Sequence, residues 1–296
     1  MNGLLQLLLP LALGLSSDPY ARTRVDPSLD PGVPADQLPF LFWGTSSIVY
    51  TQSELGNPAT GPSAFDAVTR AWTSWQAVND ACGNLQLSEG PHVSDRTVGY
   101  DPSSSTNYNL IIFRTRSCSA VVPGSDPCRT SGDCNNQYDC WAYDPGIIAL
   151  TTTHYKTQTG RILDADVELN AVNPGGYVFT TVDSPRCVSL QTQSCVAYDI
   201  QNTMTHEFGH SLGLDHTSYP GSIMNPTASV GETSKRTIDS GSKQFICDVY
   251  PPYKQLLASN DQLVGCSAAA GSSADAICLL LALRLWSSRK RGTRQG

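Results

Sequence analysis

The chain has 296 residues, a formal net charge of −7 at pH 7 and ten cysteines. The acidic balance, with no basic patch in the part expected to fold, excludes nucleic acid as a partner. Eight cysteines fall between Cys82 and Cys247, an even number that points to disulfides and excludes a reducing compartment.

Taken in order, residues 1–17, "MNGLLQLLLPLALGLSS", have a short apolar core followed by small residues and read as a signal peptide cleaved near Ser16 or Ser17. They depart from type in having no Lys or Arg before Arg22. Residues 18–40 are rich in Pro and Asp and read as a linker or short pro-segment. Residues 41–255 read as one domain without internal repeats. Its first strand is "SSIVYT". In "PSAFDAVTRAWTSWQAVNDAC", apolar residues at Phe65, Val68, Ala71, Trp72, Trp75 and Val78 predict an amphipathic helix that starts after Pro62, with Ser63 as cap. "NYNLIIFRTR" and "GIIALTTT" are apolar, β-branched and strand-like.

Between those strands, Cys118, Cys128, Cys134 and Cys140 punctuate a polar, Gly/Pro-rich stretch that reads as a disulfide-tied surface loop. Zinc is the competing reading, and the spacings lack a CxxC knuckle. Pairing is not fixed by spacing; Cys118 with Cys140 around Cys128 with Cys134 is the working arrangement. Along "LDADVELN", Asp164, Asp166 and Glu168 alternate on one strand face. A solvated acidic face is the favoured reading, with Ca2+ binding as the alternative.

The densest chemistry is "HEFGHSLGLDH". His206 and His210 are four apart, so a helix projects both imidazoles from one face. Ile200, Met204, Phe208 and Leu212 give the same helix a buried stripe. Gly213 can leave the helix with positive φ and bring His216 round as a third ligand. Three neutral imidazoles leave one position open on a zinc ion, the pattern of a catalytic site, and Glu207 lies next to the first ligand. Met224 follows in "SIMNP", completing the long motif of the metzincins.

On "HEFGHSLGLDHT", "SIMNP", the tail "GETSKRTIDSGSKQFICDVYPP" and the upstream "GIIALTTTHYKTQTGRILDADVELN", the sequence resembles the metzincin metallopeptidases, and among them the matrixin-like enzymes, from near Leu41 to Pro252. The resemblance implies one catalytic Zn2+ on His206, His210 and His216, Glu207 as acid/base, Met224 as a hydrophobic floor, and polypeptide substrates. Thr217 stands where matrixins usually have serine; Gly241 and Ser242 stand where they usually have paired acidic residues. "SPRCVS" resembles a cysteine-switch segment, yet it lies just before the active-site helix, so Cys187 reads as a disulfide partner with Cys195 as the nearest candidate. The expected fold is α+β: a twisted, mostly parallel sheet with one antiparallel edge strand, two backing helices including the active-site helix, and a small C-terminal subdomain. The edge strand near Ala149 to Thr152 is expected to bind extended peptide, and residues from Asn225 to Thr233 to wall the pocket for the residue after the scissile bond.

Residues 256–296 join Cys266, a small-residue spacer, a short apolar run from Ala276 to Leu283 and the basic residues Arg289, Lys290, Arg291 and Arg294. This segment resembles a myxobacterial-type C-terminal sorting signal, which implies membrane or cell-surface attachment. The whole reads as a secreted or surface-displayed, monomeric zinc endopeptidase, with a catalytically idle zinc-binding adhesion module as the alternative.

Overall fold

A computed structural model describes residues 19–188 and 191–252. The expected signal peptide and the C-terminal sorting segment lie outside the described residues. In chain order the elements are β1 (Ala21–Arg22), β2 (Phe42–Trp43), β3 (Ser47–Gln52), α1 (Ser63–Cys82), β4 (Gln86–Glu89), β5 (Asn109–Arg114), α2 (Cys118–Val121), α3 (Cys128–Ser131), α4 (Cys134–Tyr138), β6 (Ala149–Lys156), β7 (Arg161–Asn170), β8 (Phe179–Thr180), β9 (Tyr198–Asp199), α5 (Ile200–Ser211), β10 (Leu214–Asp215) and α6 (Ser240–Val249).

The main sheet runs β4, β3, β5, β7 with every pairing parallel, and β2 joins the start of β7, also in parallel. β6 lies antiparallel along the other side of β7 and forms the edge. This is the expected topology. Apolar residues recur with helical period on α1, and Ala67, Val68, Ala71, Trp72 and Trp75 are buried against the sheet and α5. Trp72 sits between Tyr50 and Phe208, its ring centroid 4.4 Å from each. Each such aromatic removes enough apolar surface from water to contribute about 2–3 kcal/mol.

Two local expectations are corrected. Ser63 is the first helical residue rather than the cap; the turn before it enters the helix through Pro62 in the αR region, and the Ser63 hydroxyl donates to Thr60 O instead. The face carrying Asp164, Asp166 and Glu168 is not solvated, since each of the three is 1% exposed. The cysteine loop covers its Glu168 end, where Asn135 and Tyr143 reach the carboxylate, while Asp166 is met by Gly99 and Leu110 and Asp164 by His154. Arg114, itself buried, donates from Nε to Glu168 Oε1 at 2.6 Å and from Nη1 to Asp139 Oδ1 at 2.8 Å, clamping that loop to the sheet. Tyr143 also donates to Glu168, and the Asp166 carboxyl group accepts the backbone N–H groups of Leu110 and Gly99.

The disulfides fall as the working arrangement has them: Cys118–Cys140 around Cys128–Cys134, and Cys187–Cys195. A fourth, Cys82–Cys247, ties the end of α1 to α6. The segment before β2 is packed in: Val25 and Leu38 are buried, and β1 pairs antiparallel with β10.

Candidate metal centre and cleft

α5 begins where the Asp199 carboxylate accepts the N–H of Asn202 at 2.7 Å, satisfying a donor that the helix itself leaves open. The same carboxylate takes two N–H groups from Arg236, at 2.6 and 2.8 Å, so the helix start is pinned to the segment before α6. Ile200, Met204 and Phe208 are buried in the core. The neighbouring face, with His206, Glu207 and His210, opens into a cleft of about 580 Å³. At Gly213 the chain turns away with φ +104°; a Cβ there would lie 2.7 Å from Leu41 O, so glycine is needed for both conformation and space. β10 and His216 follow.

The three histidines meet through Nε2. The separations are 3.2 Å between His206 and His210, 3.2 Å between His206 and His216, and 3.1 Å between His210 and His216. His206 Nδ1 lies 2.6 Å from Ile223 O and His210 Nδ1 lies 2.9 Å from Leu214 O. A carbonyl only accepts, so both Nδ1 atoms carry the proton and both Nε2 atoms present lone pairs. Lone pairs this close repel unless a cation lies between them. Tetrahedral zinc with Zn–N bonds of about 2.0–2.1 Å would space its nitrogens by about 3.3 Å, so the donor set fits that ion. Burial holds His206 well below its usual pKa, with His210 adding to the effect, and burial also lowers His210 and His216. Neutral imidazole is the metal-binding form.

Glu207 is 5% exposed, and its Oε2 accepts the Thr151 hydroxyl of β6 at 2.7 Å. Burial pushes its carboxyl up to about 7, against the opposing pull of that hydrogen bond. Met224 is fully buried beneath α5, and a Cβ on Gly209 would overlap its sulfur, so only glycine lets the helix and this turn approach so closely. The residue before Met224 supplies the carbonyl that orients His206.

All four predicted site residues, His206, Glu207, His210 and His216, line one cleft, together with Ala149 and Thr151 of β6 and Pro226, Thr227 and Ala228 of the following wall. Among the described residues, the His triad is the group of three or more metal-ligating side chains whose ligand atoms converge. His154 lies elsewhere, 3.5 Å from Asp164. Sequence reasoning missed Thr151, Lys235 and Asp239. Asp239 Oδ2 accepts Ile223 N at 2.9 Å while Oδ1 accepts Gly241 N and Ser242 N, capping α6 and holding the turn before Met224 at once. An Asp directly before "SGS" was the available signal. Lys235 Nζ donates to Asn225 O and Thr227 O, at 2.8 and 2.6 Å.

Comparison with known proteins agrees with this architecture. Residues 119–251 match the Matrixin family model. A stretch of 59 residues, 20% of this chain, is 37% identical to human (Homo sapiens) neutrophil collagenase, covering 13% of that protein. A stretch of 23 residues, 8% of this chain, is 74% identical to mouse (Mus musculus) matrilysin, covering 9% of it. The chain thus spans about a tenth of the length of the curated relatives it matches. Its fold is α+β and metzincin-like, and over the matched region the chain is matrixin-like.

Proposed function

We propose that this protein is a zinc-dependent endopeptidase, with zinc held by His206, His210 and His216 and with Glu207 as the catalytic acid/base. The observation that carries the reading is the convergence of three Nε2 atoms within 3.1–3.2 Å beside a buried carboxyl, at the edge of a sheet. When bound, zinc supplies Lewis-acid polarisation of the scissile carbonyl and a water acidified towards a pKa of about 7. The chain's own residues do the rest. β6 pairs only with β7 among the described strands, so its free main-chain groups can align an extended peptide across the cleft. Glu207 takes the proton of the attacking water and hands it to the departing amine, two tasks served by one carboxyl whose proton affinity burial brings near neutrality. Thr151 keeps that carboxyl aimed.

Four disulfides support an oxidising, extracellular setting. Among the described residues no helix is long and apolar enough to cross a membrane. Surface attachment through residues 256–296 is part of the proposal, as is a monomer.

The test is hydrolysis of a denatured protein by the purified chain beside Glu207→Ala, with zinc measured on both. We expect equal zinc and at least about a thousandfold loss of hydrolysis in the variant. Zinc in both with hydrolysis in neither would turn the reading to the idle binding module. Equal hydrolysis in both would remove Glu207 from its role.

A further inference from the structure

Past Glu207, the cleft continues as a recess toward the N-terminal end of α5, where Asn202, Thr203, Tyr198, Thr227 and Lys235 line it. Lys235 stands on a short 3-10 turn, Ser234–Arg236, and is 6% exposed. Its backbone N–H donates to Asn202 Oδ1 at 2.8 Å, which fixes the turn against α5. Its ammonium has three N–H groups. Two are taken by the carbonyls of Asn225 and Thr227. The nearest ion-pair partner, Glu232 Oε1, is 3.7 Å away, beyond hydrogen-bond reach. Of the side chains lining the cleft, Lys235 is the one cationic group, the three histidines being neutral.

Glu207 passes its proton to the amine of the departing half, so the residue that follows the scissile bond lies on the Glu207 side of the cleft, the side that Lys235 and the N-terminal end of α5 line. Building on the peptidase reading, we propose that Lys235 is a specificity-determining residue whose remaining N–H receives an acidic side chain at that position. Neighbouring polar groups fit such a guest: Thr203 and Tyr198 carry hydroxyls, and Asn202 carries an amide. An aliphatic side chain would bury the ammonium without supplying an acceptor, which is the costlier arrangement.

The test uses the zinc-loaded full chain and peptides identical except for Glu, Gln, Leu or Lys after the scissile bond. We expect kcat/KM for Glu to exceed Gln and Leu by about tenfold, the size of one charge-assisted hydrogen bond, with Lys slowest. Lys235→Met, at matched zinc content, should prefer Leu. Should that variant fail to fold, Asn202→Asp keeps the lysine and adds a carboxylate to the recess, and it should erase the preference for Glu. Equal or faster cleavage before Gln or Leu by the parent would overturn this inference and leave the peptidase reading standing. An unchanged acidic preference in Lys235→Met would overturn it too. No cleavage of any peptide by the zinc-loaded chain would overturn the peptidase reading and this inference with it.

Discussion

Burial raises the proton affinity of Glu207, and the Thr151 hydroxyl is the largest of the effects that oppose it, ahead of the electrostatic influence of His216 and Lys235. Thr151→Val removes only that hydroxyl. Because the proposed base is the ionised form, a further rise in its proton affinity moves the acid limb of the kcat/KM profile to higher pH; we expect several-fold loss near pH 6 and a smaller loss near pH 8. A second buried carboxyl makes a stability prediction. Burial, with the Asp164 carboxyl beside it, pushes Asp166 well above the usual carboxylate range. The folded chain then holds a proton that the unfolded chain gives up from about pH 4 upward, so this group's stabilising contribution is lost as pH rises through the raised value. Asp164→Asn supplies a donor to ionised Asp166. The variant is expected to gain about 1 kcal/mol over the parent near pH 8 and little near pH 4, read from urea midpoints.

α5 is legible in the sequence, because His206, Glu207 and His210 on one face and Ile200, Met204 and Phe208 on another obey one helical period. What holds the helix in place is not. Gly209 reads as an ordinary spacer in "HEFGH", and only the approach of Met224 shows why a Cβ has no room there. Asp239 was hidden in a similar way: its two roles, one local and one to Ile223, meet only in space. The paired acids expected in the first turn of α6 are replaced by Gly241 and Ser242, and the cap residue does the anchoring. Asp239→Ala should therefore cost about 2 kcal/mol, a lost cap plus a lost charged hydrogen bond. It should also raise the rate at which a chelator strips zinc, measured by stopped-flow release, since the carbonyl that orients His206 sits on the same turn.

For the molecule as a whole, the class of fold could be read from a zinc motif preceded by β-branched strands. The burial of the acidic face could not, because alternation along "LDADVELN" is the same whether water or other parts of the chain cover it, and Arg114 shows its partner only once β5 lies beside β7. The disulfide between α1 and α6 closes a separation of 165 residues, and constraining so long a loop stabilises by about 3–5 kcal/mol. Replacing Cys82 and Cys247 together by serine should lower the unfolding midpoint accordingly while leaving the peptide preference unchanged, a contrast that denaturation and cleavage assays on one sample would read. Long separations also order events in time. Thr23 donates to Leu214 O across 191 residues, so the strand that braces the metal loop is made first and waits for its partner. At about 5–20 residues per second of synthesis, that wait is roughly ten to forty seconds, and the proposed metal site is completed late in the life of the nascent chain.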